Sequence, residues 1–321
     1  MSKLKKKINQ VPAMKISTIM FTLLILGMGA FGLQAEAENA EDVRVIEHAM
    51  GETEIEGEPK RVVVLYQGAT DTILALDQKP VGAVESWIQK PWYKYIRDKM
   101  DGVANVGLET QPNLEKIVSL NPDLIVGSKL RHEKIYDQLS AIAPTVMSDT
   151  VYEWKKTLIM LGKALDKQEK AGGILREWNQ RAENFRKEIG NEINSEVSIV
   201  RFMADHARIY YTGFAGSILK DVGLKRPENQ QKDKWGVKLT SKESIPQMNG
   251  DVIFDITDDY TGDNASYKTR DEWQNHPLWK NLDAAQEGNV YQVDSVIWNM
   301  GGGAIAAEMM LDDLYKFFEV K

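Results

Sequence analysis

Arg131, Arg201 and Arg208, with Lys90 and Lys129, are the side chains of this chain best suited to seizing an anion, since each stands at or just beyond the end of a run that reads as a β-strand. A guanidinium is planar and donates two parallel hydrogen bonds to a carboxylate, and an ammonium adds a point charge. Aromatic residues share the same regions: Trp87, Trp92 and Tyr93 in one half, and Tyr210, Tyr211, Trp235, Tyr260 and Trp298 in the other. They suit the walls of a site that excludes water. His132 and His206 complete the set. The chain has 40 Lys and Arg against 47 Asp and Glu, a formal net charge of −7. Cations gathered at strand ends in so acidic a chain point to an anionic ligand. Each residue also has a plainer reading: Lys90 and Lys129 as solvated surface charges, Arg201 as half of a structural ion pair, Trp298 as core, and His206 as a satisfied loop histidine.

Other chemistries find less support. His48, His132, His206 and His276 are far apart, with no paired spacing for zinc. Asp258, Asp259 and Asp263 lack the full spacing of a calcium loop and read as solvated acids. Gly301, Gly302 and Gly303 open a predicted helix, where a phosphate could be cradled. Without G-x-G-x-x-G or a P-loop lysine, a tight turn is the better reading. There is no cysteine, which excludes disulfides, thiolate metal sites and a catalytic thiol. No Ser-His-Asp or paired-carboxylate constellation stands out, and the acidic balance argues against nucleic acid. The expectation is a binding protein that is not an enzyme, with no cofactor and no metal held directly by its own side chains.

The elements that must position these residues follow from periodicity. Runs such as RVVVLY (61–66), VGAV (81–84) and DLIVG (123–127) read as buried strands and alternate with short helices. That grammar implies parallel βα units in an open α/β sheet. It restarts after Gly190, with strands at 196–203, 208–211 and 251–257. The halves also share wording: E-x-I-x-x-L-N-P-D-L-I (115–125) matches E-x-I-x-x-M-N-G-D-V-I (243–253). Between them, residues 166–190 carry Ala171, Ile174, Leu175, Trp178, Ala182, Phe185 and Ile189 at helical spacing, one apolar stripe. Asp166 reads as the N-cap of this helix, with Glu169 completing a capping box, and Gly190 as its terminator. Gly172 and Gly173 weaken the helix or mark close packing against a neighbour. Two α/β lobes joined by one long helix leave a crevice beyond the strand ends for a ligand, and a continuous helix limits how far they swing.

The first segment stands apart. Five lysines before residue 16 precede an uncharged, mostly apolar run over residues 16–33, and Ala35 and Ala37 supply small residues for cleavage. This reads as a signal peptide over residues 1–37, with an uncleaved anchor as the competing reading. The organisation expected is then a first lobe over 38–165, a linker helix over 166–190 and a second lobe over 191–321.

At these residues the chain resembles the substrate-binding proteins of bacterial iron–siderophore ABC importers, and is most similar to ferric-citrate binders and their citrate-based relatives. The likeness lies in RVVVLYQGATD (61–71), KPVGAVESW (79–87), NPDLIV (121–126), ADHARIY (204–210), TSKESIP (240–246) and the Trp298, Asn299, Gly301, Gly302 group. It implies two Rossmann-like lobes on a single long α-helix, the class III periplasmic binding protein fold. It also implies a ferric carboxylate-type siderophore as ligand, its iron already wrapped in oxygen donors, and an inner-membrane permease as partner. By the resemblance Arg131, Arg201 and Arg208 clasp carboxylates, Lys90 and Lys129 assist and Trp87 forms the rim; His206, Tyr210 and Trp298 join the ligand site. Asp71 and Asp221 occupy the positions of the acids that dock on the permease. Arg201-Phe202-Met203 is more like the binders of mixed citrate–hydroxamate siderophores, which stand as the alternative, with haem or corrinoid carriers beyond them. The absence of cysteine points to a non-lipidated protein of a Gram-negative periplasm, and a monomer is expected.

Overall fold

The computed structural model describes residues 43–320, so the expected signal peptide lies outside the described residues. β1 (Val43–His48) and β2 (Gly51–Glu56) form an antiparallel hairpin. β3 (Val62–Val64), β4 (Gly82–Glu85), β5 (Ala104–Leu108), β6 (Gln111–Pro112), β7 (Leu124–Ser128) and β8 (Thr145–Ser148) make a sheet in the order β6-β5-β4-β3-β7-β8. Every pairing is parallel except β5 with β6. Helices α1 (Gln67–Ala75), α2 (Leu114–Ser119), α3 (Lys129–His132), α4 (Tyr136–Ser140) and α5 (Trp154–Ala164) link these strands and cover them. β3 is buried on both faces, which is why it reads as an unbroken run of valine.

α6 (Gln168–Glu188) leads to the second lobe. There β9 (Val197–Phe202), β10 (Ala207–Tyr210), β11 (Gly236–Leu239), β12 (Val252–Asp255) and β13 (Val290–Gln292) are ordered β11-β10-β9-β12-β13. α7 (Gly213–Asp221), α8 (Ala265–Gln274), α9 (Pro277–Lys280), α10 (Asp283–Glu287) and α11 (Ala304–Phe317) complete it. β9, β12 and β13 run parallel, but β10 and β11 are antiparallel to their neighbours. Only residues 203–206 separate β9 from β10, too few for a parallel crossover, so the chain turns back as a hairpin.

The shared wording of the halves has a physical basis. Asp123 opens β7, and its carboxylate accepts the Lys60 and Arg61 N–H groups that lead into β3, at 2.7 and 2.8 Å. Asp251 opens β12 and accepts the Glu196 N–H that leads into β9, at 2.8 Å. In each lobe the aspartate pins the start of the central parallel strand.

The linker helix departs from expectation at its start. Asp166 has φ of 55°, so it ends the preceding turn in the left-handed region instead of capping α6. Lys167 holds the N-cap position and offers no side-chain oxygen. Gly172 and Gly173 face only the side chain of Arg176, so they do not mark a helix contact. The close approach is at Gly162 of α5, where an added Cβ would lie 2.6 Å from that of Ala171. Trp178 meets Trp154 of α5 edge-on at 4.9 Å, and Phe185 meets Tyr315 of α11 at 5.2 Å. The two ends of α6 therefore pack on different lobes.

Rigidity does not rest on α6 alone. The largest apolar cluster runs without a break from β3 through α1, α5, α6 and α11 to β9 and β12. Sliding the lobes apart would open this shared core, whose dense packing resists small displacements.

Candidate functional site

β3 is central in its sheet, with β4 on one side and β7 on the other, and β9 is central in the second, between β10 and β12. At β3, whose pairings are both parallel, such a switch opens a crevice beyond the strand end, and the β9–β10 hairpin end faces it from the second lobe. A cavity of about 450 Å³ lies there, a size suited to a small molecule. The first lobe lines it with Gln67, Gly68, Trp87, Glu109, Arg131 and Tyr152. The second contributes Arg201, Met203, Arg208, Tyr210, Trp235, Tyr260, Asn299 and Met300.

The β9–β10 register pairs Arg201 directly with Arg208 across the ladder, so both side chains leave the same face. Arg201 is only 6% exposed and its Nε has no hydrogen-bond partner. Its guanidinium lies 4.1 Å from the centre of the Tyr260 ring, and that of Arg208 lies 5.7 Å from Trp235. Aromatic faces soften the burial of a cation but do not neutralise it. From the other lobe, Arg131 donates its Nε–H to Glu109 at 3.0 Å. Glu109 also accepts the Gln67 N–H of the first turn of α1. Burial raises the Glu109 carboxyl above its usual range, and the Arg131 charge opposes that shift. The site thus presents three guanidinium groups from two lobes, with one buried carboxylate engaged on Arg131.

The family description "periplasmic binding protein" matches residues 62–297. The chain belongs to the periplasmic binding protein family. Its two lobes on a long helix are the class III fold of that family, which comprises binding proteins and not enzymes. The chain is 44% identical to the probable siderophore-binding lipoprotein YfiY of Bacillus subtilis over 313 residues, covering 93% of this chain and 96% of that one. It is 40% identical to the achromobactin-binding periplasmic protein of Dickeya dadantii over 262 residues, covering 80% and 85%. Among solved structures, Staphylococcus aureus SirA complexed with staphyloferrin B aligns with a TM-score of 0.84 at 46% identity, over 87% of this chain and 99% of that one.

In this periplasmic binding protein the cavity gathers Trp87, Arg131, Arg201, Arg208 and Tyr210 from the residues singled out in the sequence. Trp235, Tyr260 and Trp298 also line it, whereas Lys90, Lys129, His132 and His206 do not. Lys90 pairs with Glu85 at 2.6 Å with its side chain 57% exposed, and Lys129 is exposed at the start of α3; neither lines the cavity. His206 sits behind Arg208 and accepts its Nε–H at 3.0 Å, so it faces the arginine and not the cavity. Trp298 backs the wall, but it is fully buried and gives its one N–H to Asp313 at 2.8 Å, which leaves it no donor for a ligand. His132 is structural: it accepts the Ser128 N–H and binds the Glu109 carbonyl, and burial lowers its pKa.

The two acids expected to dock on the permease are already engaged within the protein. Asp71 is wholly buried, its carboxylate accepting the Ile305 and Ala306 N–H groups and the Tyr95 hydroxyl. Asp221 is half-buried, ion-paired with Lys155 and bonded by Trp178 Nε1 at 3.1 Å. Glu109, Tyr152, Met203 and Asn299 were not anticipated. Glu109 directly follows β5, so its position at a strand end was a usable signal.

Proposed function

We propose that this protein captures a ferric siderophore of the citrate-based carboxylate type between its lobes and delivers it to the inner-membrane permease of an ABC importer. The observation that carries the reading is the Arg201–Arg208 pair. Like charges directly opposite in a ladder repel. Neither arginine meets a carboxylate among the described residues. A polyanion seated between them reverses that repulsion for both at once, and Arg131 closes on it from the other lobe. Ferric iron prefers hard oxygen donors, and a chelate that supplies them leaves the protein to grip its periphery. Iron then arrives as cargo, and the protein needs no cofactor of its own.

The relatives named for siderophores, achromobactin and staphyloferrin B support this class of ligand. We read the protein as periplasmic and monomeric. The sequence contains no cysteine, so attachment through a lipidated thiol, which the name of one relative suggests for that protein, is not part of this reading.

The test is a titration of intrinsic tryptophan fluorescence, since Trp87 and Trp235 line the cavity and are 38% and 47% exposed. Ferric citrate and ferric carboxylate siderophores should quench it saturably and less tightly at raised salt, with hydroxamate, catecholate and haem ligands weaker. Silence toward every ferric carboxylate chelate would overturn the assignment.

A further inference from the structure

His206 is 5% exposed and lies between two partners of opposite charge. On one side its Nδ1 is 2.5 Å from Asp205 Oδ1; on the other its Nε2 is 3.0 Å from Arg208 Nε. An arginine Nε–H only donates, so Nε2 must be the accepting nitrogen and the ring proton must sit on Nδ1, directed at Asp205. The charged groups around the ring are Asp205 beside it, Arg208 on β10, Arg201 opposite on β9, and Lys238 on β11, whose Nζ is 3.7 Å from Asp205 Oδ2. The arrangement mirrors the other lobe, where Glu109 holds Arg131 through the same nitrogen. In each lobe one cleft arginine, Arg131 or Arg208, is held through Nε, which leaves both of its terminal Nη groups unspent.

We infer that His206 is a positioning residue of the anion site: as neutral imidazole it fixes Arg208 through Nε and aims both Nη groups at the ligand, so capture by this lobe requires unprotonated His206. The inference rests on the proposed carboxylate-chelate reading. Adding a proton to Nε2 sets an N–H against the arginine N–H and adds a third cation to the Arg201–Arg208 pair, which releases Arg208 from its pose. Acidification then weakens binding through the protein, besides any effect on the chelate itself.

The experiment compares wild type, His206→Gln and His206→Asn from pH 5 to 8, with ferric citrate as the probe. A glutamine carries its amide oxygen about where Nε2 stands, whereas an asparagine reaches only the Nδ1 position. Wild type should lose roughly tenfold or more in affinity between pH 8 and pH 5. Gln should stay within about threefold of wild type at pH 8 and show a flatter acid limb than wild type. Asn should bind roughly tenfold or more weakly at every pH. An acid limb in the Gln variant as steep as in wild type, or Asn binding like wild type at pH 8, overturns the inference. In ligand-free protein, nitrogen-15 NMR reads the same point without a chelate. Nε2 should be the unprotonated ring nitrogen at pH 8, and the Arg208 Nε–H should be protected from exchange in wild type and Gln but not in Asn. If wild type ignores ferric citrate yet passes the NMR test, the ligand class has failed and the positioning role stands. A protonated Nε2 at pH 8 removes the positioning role whatever binds.

Discussion

The carboxylate of Asp71 accepts the backbone N–H of Ile305 at 2.7 Å, fastening α1 of the first lobe to the first turn of α11 in the second. Ala306 and the Tyr95 hydroxyl donate to its other oxygen at 2.9 and 2.6 Å. The helix N-terminus opened by Gly301, Gly302 and Gly303, where the sequence favoured a tight turn over a phosphate cradle, is filled by the protein's own anion. Burial pushes the Asp71 carboxyl from 3.8 up to about 6, against the pull of these three donors. A carboxyl raised on folding contributes stability that is fully present below pH about 4 and lost as pH rises through about 6. Between pH 4 and 7 wild type should therefore lose about 2 kcal/mol relative to Asp71→Asn, which does not titrate. Urea unfolding of both proteins at several pH values measures the gap; a gap independent of pH would contradict the account.

Gly303 is needed for that joint. A Cβ there would lie 2.4 Å from Asp71 Oδ1 and 2.5 Å from its Cβ and Cγ. Gly303→Ala should cost about 1–3 kcal/mol by overpacking. It should also move the Asp71 titration, because the carboxylate must withdraw from Ile305. Unfolding midpoints at pH 4 and 7 check both effects.

Arg201 sets function against stability. Removing a charge-assisted contact to a bound carboxylate costs about 1.5–3 kcal/mol, roughly 10- to 150-fold in affinity. In the ligand-free state the same residue is a buried cation facing Arg208. Arg201→Met should thus weaken ferric citrate binding by that factor and raise the ligand-free unfolding midpoint. Calorimetry on the ligand-free variant, beside the binding titration, tests the two signs together. A variant that loses both would mean Arg201 is structural.

Asp221 joins α7 to the first lobe through Lys155 and to α6 through Trp178. The Lys155 ammonium also lies 5.6 and 5.5 Å from the Trp154 and Trp178 rings. Half-exposed ion pairs are weak singly, but here one carboxylate serves two partners. Asp221→Ala should lower stability by about 1–2 kcal/mol and alter tryptophan emission, with ferric chelate affinity unchanged within about twofold. Chemical unfolding and the fluorescence titration read these out.

The sequence on its own determined the alternation of strands and helices, the linker stripe around Trp178 and Phe185, and the paired aspartates Asp123 and Asp251. These are local matters: an apolar period, or one carboxylate beside the backbone of a neighbouring strand. It also placed Arg131, Arg201 and Arg208 at strand ends, and there the cavity lies. What it left open was decided by contacts between residues distant in the chain. Asp71 carries an ordinary acid's label until α11 arrives from 234 residues away to bury it. Trp298 and Tyr260 look alike as aromatics, yet Phe254 packs against one while a guanidinium stacks on the other. His206 and Arg208 needed the hairpin register to become a holder and a held group. Side-chain chemistry is written residue by residue, but burial and partner are properties of the packed whole, and those two decide whether a charge binds a ligand or braces the fold.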